Sequence, residues 1–309
     1  MPETIGSPTL WLCFTAFIVA MLALDLGVLH RDAHEVSVRE AFGWSLVWIA
    51  LSLAFAAGLY FLAGPTYALQ FVTGYLIEKA LSVDNVFVFL VVFSFFKVPA
   101  KLQHRVLFWG IFGALVMRAA FIVAGAALIE RFEWIMYIFG ALLVYTGYKM
   151  LTAGSEEMQP DELMAYRMFR RVVPSTDTYR DGNFFVREDG RLKATPLAAV
   201  LVVIESSDLM FAVDSIPAIF AVTRDPFLVY TSNVFAILGL RAMFFLLAGI
   251  IDKFAYLKTG LAIVLSYVGI KMLIIEYYHV PPGVSLAVVA GILGVAIAWS
   301  LIAPPRKGD

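Results

Sequence analysis

Nine stretches of the chain run apolar for about twenty residues or more at a time, and charge gathers largely between them. They cover 9–29, 40–63, 67–96, 105–129, 132–151, 196–221, 227–250, 256–276 and 284–303. About 20 mostly apolar residues are what an α-helix needs to cross the hydrocarbon of a bilayer. The pattern therefore predicts nine transmembrane helices. The third stretch is too long for one straight crossing and predicts a break or a tilt. The first lacks a basic leading region and a small-residue cleavage site, which marks it as a retained anchor.

Composition agrees with this pattern. Of 309 residues 61% are hydrophobic and 15% charged, with a mean hydropathy of +0.85. A typical soluble domain is about 45–50% apolar and about 25% charged, so a soluble enzyme is excluded. The expected class is an all-α integral membrane protein. Its membrane parts are 1–153 and 195–309, and a water-exposed loop joins them at 154–194. Within that loop, Leu163 to Arg171 has the pattern of an interfacial amphipathic helix. With the N-terminus outside, the inner segments hold seventeen Lys and Arg and the outer segments two, Arg131 and Arg224. That asymmetry predicts a multi-pass inner-membrane protein with its C-terminus in the cytoplasm. The formal net charge is −1 and no basic surface stands out, so no nucleic-acid partner is expected. The single cysteine, Cys13, allows neither an internal disulfide nor a thiolate metal cluster.

The chain also echoes itself. Glu78-Lys79-Ala80-Leu81-Ser82-Val83-Asp84-Asn85 aligns with Asp208-Leu209-Met210-Phe211-Ala212-Val213-Asp214-Ser215. Met117-Arg118-Ala119-Ala120-Phe121 aligns with Leu240-Arg241-Ala242-Met243-Phe244, and Tyr145-Thr146-Gly147 with Tyr267-Val268-Gly269. The two units, 67–151 and 196–276, hold three spans each. An odd number makes the second copy enter from the opposite face. Inverted repeats of this kind are characteristic of secondary transporters, whose sites lie near the midplane at the repeat interface.

Ionisable residues within spans cost at least about 2.5–3.5 kcal/mol each on insertion scales, so they mark function. Glu78, Asp84, Glu205, Asp208, Asp214 and, nearer a span end, Asp25 stand against Lys79, Arg118 and Arg241. The surplus acids must be protonated, hydrated or balanced by a bound cation. Glu78 and Asp84 are six residues apart, as are Asp208 and Asp214. Each pair would face different directions on a straight helix, which predicts breaks near Ser82–Asn85 and near Asp214–Pro217. The candidate ligand set is these carboxylates with Ser82, Asn85, Ser215, Asn233 and freed carbonyls. An oxygen-rich set suits Mg²⁺, Ca²⁺ or Mn²⁺. Arg118 and Arg241 are either fixed counter-charges for empty carboxylates or structural ion pairs. The Tyr-Gly-Lys segments of spans five and eight read as packing.

Residues 76–90 (LIEKALSVDNVFVFL) and 204–222 (IESSDLMFAVDSIPAIFAV) resemble the two signature segments of the TerC family of integral membrane proteins. The similarity spans about 66–276, Leu24-Asp25-Leu26 fits it too, and the layout is most similar to the Alx-type members. The resemblance implies export of Mn²⁺, with metal-site positions Glu78, Asp84, Glu205, Asp208 and Asp214 and with Asn85 and Ser215 beside them. No nucleotide-binding motif is present and the membrane potential opposes cation export, so exchange for protons is expected. The expected partners are Mn²⁺, H⁺ and the bilayer, with no resident cofactor. HExxH is absent, and no enzyme activity is expected. The alternative is a membrane subunit that senses Mn²⁺ or metallates partner proteins without transporting it.

Overall fold

The computed structural model describes residues 4–27, 38–132, 134–152, 164–176, 178–179, 182–188, 190–247, 256–275, 277–278 and 280–302. The described chain is almost wholly helical. Its elements are α1 (Pro8–Gly27), α2 (Val38–Leu62), α3 (Pro65–Phe95), α4 (Ala100–Arg131), α5 (Ile135–Thr152), α6 (Met164–Val172), β1 (Phe185–Glu188), β2 (Arg191–Ala194), α7 (Pro196–Phe220), α8 (Pro226–Leu238), α9 (Leu240–Leu247), α10 (Leu257–Leu273) and α11 (Pro282–Ile302). Six described helical stretches are long and apolar enough to cross a membrane: α2, α4, α5, α7, most of α11, and Pro226–Leu246 across α8 and α9. α1 and α10 are apolar over shorter described stretches. The long α3 carries Glu78, Lys79 and Asp84 within it. The protein is an all-α membrane protein.

Local chemistry sets the ends. Pro65, Pro196 and Pro226 stand in the first turns of α3, α7 and α8, where a missing N–H removes nothing the helix would use. Asp225 caps α8 by accepting from the Phe227 N–H at 2.9 Å, and also accepts from Thr4 Oγ1 and the Ile5 N–H. One buried carboxylate thus ties the N-terminal segment to the start of α8. Gly64, at φ +106°, makes the turn between α2 and α3 in a conformation open to glycine.

Neither expected helix break occurs. α3 runs unbroken for 31 residues, about 46 Å at 1.5 Å per residue. Between Gly74 and its C-terminus it has neither Gly nor Pro, and Ser82 Oγ donates to the Glu78 carbonyl at 2.7 Å without disturbing the helix. α7 likewise continues through Pro217. Proline deletes one hydrogen bond, to the Val213 carbonyl, but Ser215 to Phe220 is buried throughout and packing holds the last turn.

Two helix pairs frame the interior. α3 and α7 run antiparallel: Gly74 lies against Ile219, while Asn85 reaches Asp208. α5 and α10 approach until backbones touch. A Cβ on Gly140 would sit 2.9 Å from the Gly269 carbonyl, and one on Gly269 would sit 2.6 Å from the Gly140 carbonyl. Small residues permit such contact between membrane helices, so the glycines of this pair serve packing.

Within the loop expected at 154–194, the described residues include α6 and a β-hairpin. β1 and β2 form an antiparallel hairpin with Phe185 opposite Ala194 and Arg187 opposite Leu192. Tyr179 Oη donates to the Phe96 carbonyl at 2.5 Å, and the Tyr166 ring meets the Phe96 ring edge-on. Partial burial pushes the Tyr179 phenol up to about 12, so it remains a donor at neutral pH.

Candidate cation site

Arg118 stands in mid-α4, and the site is organised around it. Its Nη1 pairs with Glu78 Oε1 of α3. Its Nη2 and Nε donate to the two Asp208 oxygens of α7 at 2.9 and 3.2 Å, a bidentate fork. Nη1 also donates to Ser215 Oγ at 3.3 Å, and Asn85 Nδ2 donates to Asp208 at 3.4 Å. Exposure is 1% for Glu78, 1% for Arg118 and 4% for Asp208. Two carboxylates and one guanidinium give this dehydrated triad a formal charge of −1. Glu78 Oε2 is buried with no hydrogen-bond partner.

The two acidic segments therefore meet across helices. Glu78 and Asp208, which align in the sequence repeat, flank one arginine, while Asp208 and Asp214 of α7 diverge. Asp208 faces Arg118, whereas Asp214, six residues on, faces α5 and accepts from Thr146 Oγ1 at 3.1 Å. Six residues on an unbroken helix turn a side chain by about 240°. Glu205, one turn before Asp208, lies half-buried where a Cβ on Gly113 of α4 would be. Thr146 and Gly113 escaped sequence reasoning because neither residue type signals a site; only the helix packing brings them to the acids.

The remaining expected residues distribute as follows. Ser82 is buried but bonds back to its own helix. Asn233 is buried on α8, and neither end of its amide has a partner. Arg241 is buried and lines a narrow cavity with Trp44, Trp48, Phe108 and Phe245. Lys79 donates to the Ala236 carbonyl of α8 at 3.3 Å. Asp25 and Asp84 lie on α1 and α3, but their side chains fall outside the described residues. Among the described residues no three His, Cys, Asp or Glu side chains converge as a metal cluster. Arg118 stands between Glu78 and Asp208.

Comparison with known proteins agrees with the architecture. Residues 63–308 match the model of the integral membrane protein TerC family. The chain is 56% identical to "Uncharacterized membrane protein STKORF319" of Myxococcus xanthus, covering 99% of this chain and 97% of that one. It is 52% identical to the "Putative membrane-bound redox modulator Alx" of Escherichia coli K12, over 94% of each chain. The protein of the same description from Salmonella typhi is 51% identical over 96% of this chain and 94% of its own. No solved structure matches the chain. The extent of the family match and the identity to these relatives establish that this chain belongs to the TerC family of integral membrane proteins.

Proposed function

We propose that the protein exports Mn²⁺ from the cytoplasm by alternating access, in exchange for protons, from a site built on Glu78, Asp84, Glu205, Asp208 and Asp214 with Asn85 and Ser215. The observation that carries this reading is the dehydrated triad. It sets two buried carboxylates against one guanidinium within the membrane domain and leaves one carboxyl oxygen of Glu78 without a hydrogen-bond partner. Oxygen donors of this kind suit hard divalent cations. Arg118 is the counter-charge that holds Glu78 and Asp208 while the site is empty of metal, and it must withdraw for a cation to bind both.

In this reading nine spans cross the inner membrane, with the N-terminus outside, and the three-span units form an inverted repeat. The antiparallel packing of α3 with α7, and of α5 with α10, supports the repeat, since inverted copies pair equivalent helices in opposite directions. The description of the Alx relatives raises redox chemistry as a second subject. A dithiol–disulfide cycle within one chain needs two cysteines, and this sequence has Cys13 alone. Carboxylates rather than thiols are the groups concentrated in the core. A sensor or metallation subunit would use the same acids without moving the ion.

Purified protein in liposomes under an imposed pH gradient tests the proposal by Mn²⁺ uptake, measured beside Ca²⁺, Mg²⁺ and Zn²⁺. Mn²⁺-selective flux should be lost in Asp84→Asn and Asp214→Asn, both still inserted, and should fall when the gradient is collapsed. Binding without flux would favour the sensing subunit, and flux indifferent to the gradient would remove the proton coupling.

A further inference from the structure

The segment after Met164 presents a surface that cation transport does not use. On α6, Tyr166 and Phe169 face inward, and Tyr166 packs against Phe96, the residue that follows α3. The opposite side exposes Met168 and Val172, each more than half open and one turn apart. Beside them run Arg167 and Arg171, also four residues apart and exposed, rotated by about 100° from the apolar pair. α6 contains no acidic residue. The β1–β2 hairpin repeats the combination. Phe185, Arg187 and Leu192 share one face of the ladder, all exposed, while Glu188 and Lys193 pair on the other at 3.2 Å.

Both elements are held at one place, the turn between α3 and α4. Tyr179 bonds to the Phe96 carbonyl there. Arg105 stacks 5.5 Å above the Phe184 ring just before the hairpin, and Gly182 packs on Leu102. A turn joining two membrane helices marks where the chain leaves the bilayer, so this surface sits at the edge of the lipid. Phe95, the last residue of α3, is itself about half exposed beside it.

We propose that this face is a binding surface for acidic phospholipid headgroups. Met168, Val172, Phe185 and Leu192 enter the boundary between headgroup and acyl chain, and Arg171 and Arg187 pair with phosphates. Apolar side chains beside arginines, with no acid on these faces among the described residues, complement an anionic lipid interface. A protein partner would have to supply an acidic and apolar face at the same depth.

The full chain tests this, carrying Cys13→Ser and Met168→Cys with a nitroxide on the new thiol. It is reconstituted in phosphatidylcholine liposomes with and without phosphatidylglycerol. Collision of the label with oxygen, which dissolves in lipid, is compared with collision with a water-soluble nickel chelate. Oxygen should dominate when phosphatidylglycerol is present, and the preference should weaken without it. Arg171→Gln with Arg187→Gln should abolish that lipid dependence, while the paired Lys variants keep it. A label open to nickel in both lipids overturns the proposal. Protection from both collision partners also overturns it and points to a protein surface. An oxygen preference indifferent to phosphatidylglycerol and to the Gln variants refutes headgroup recognition.

Discussion

Replacing Arg118 by Met removes a charge that two buried carboxylates share. In the wild type Arg118 contacts Glu78, both oxygens of Asp208, and Ser215, and all four residues are buried. Breaking a buried pair by deleting one partner typically costs about 3–5 kcal/mol, because the charge left behind has lost its water and gained nothing. Here two carboxylates are left, so the metal-free Arg118→Met protein should lose at least that much unless one carboxyl takes up a proton. If Glu78 and Asp208 form part of a cation site, the same variant should recover stability on adding Mn²⁺. A ligand at 100 times its Kd contributes about 2.7 kcal/mol. Thermal unfolding in detergent, with and without MnCl₂, reads both effects. Mn²⁺ should raise the unfolding temperature of Arg118→Met more than that of the wild type, whose arginine competes for the same oxygens. The triple variant Arg118→Met, Glu78→Gln, Asp208→Asn should regain stability with no Mn²⁺ response. A variant destabilised by the arginine loss yet no more responsive to Mn²⁺ than wild type would refute the reasoning and leave the triad a structural ion pair.

Three further outcomes are expected. Gly269→Val should separate α5 from α10, since its side chain would meet the Gly140 carbonyl and Val144; overpacking of this kind costs about 1–3 kcal/mol, read as a lower unfolding temperature, and wild-type stability would contradict the close approach. Gly113→Ala should displace the Glu205 carboxylate without unfolding the protein, because the group that must move is the end of a flexible side chain; Mn²⁺ uptake equal to wild type would remove Glu205 from the proposed site. Tyr179→Phe should loosen the α3–α4 turn by about 0.5–1.5 kcal/mol, the usual net value of one hydrogen bond. The folded phenol titrates near 12 against an ordinary 10.0, so the wild type's advantage should be constant below pH 10 and vanish as pH rises towards 12. An advantage unchanged at pH 12 would mean that the bond is not what holds the turn.

The sequence by itself determined the solvent of this protein. Apolar runs of about twenty residues leave the chain no other place to fold than a bilayer, and the helices lie within a few residues of those runs. It also determined which residues are costly there, because an acid in an apolar run is conspicuous whatever surrounds it. The repeat alignment likewise singled out Glu78, Asp208 and Arg118 before their contact was visible.

Only the tertiary structure decided how those residues combine. The expected helix breaks are absent at Ser82–Asn85, where nothing interrupts the hydrogen-bond ladder, and at Pro217, where one lost bond is outweighed by a fully packed turn, and on α7 Asp208 and Asp214 point apart. The meeting of Glu78 and Asp208 at Arg118 across α3, α4 and α7 and the turn of Asp214 towards Thr146 both depend on helix rotation. Periodicity reports that a helix forms and hardly constrains its rotation when every face is apolar. That angle is set by where small residues such as Gly113, Gly140 and Gly269 let neighbouring backbones and side chains approach.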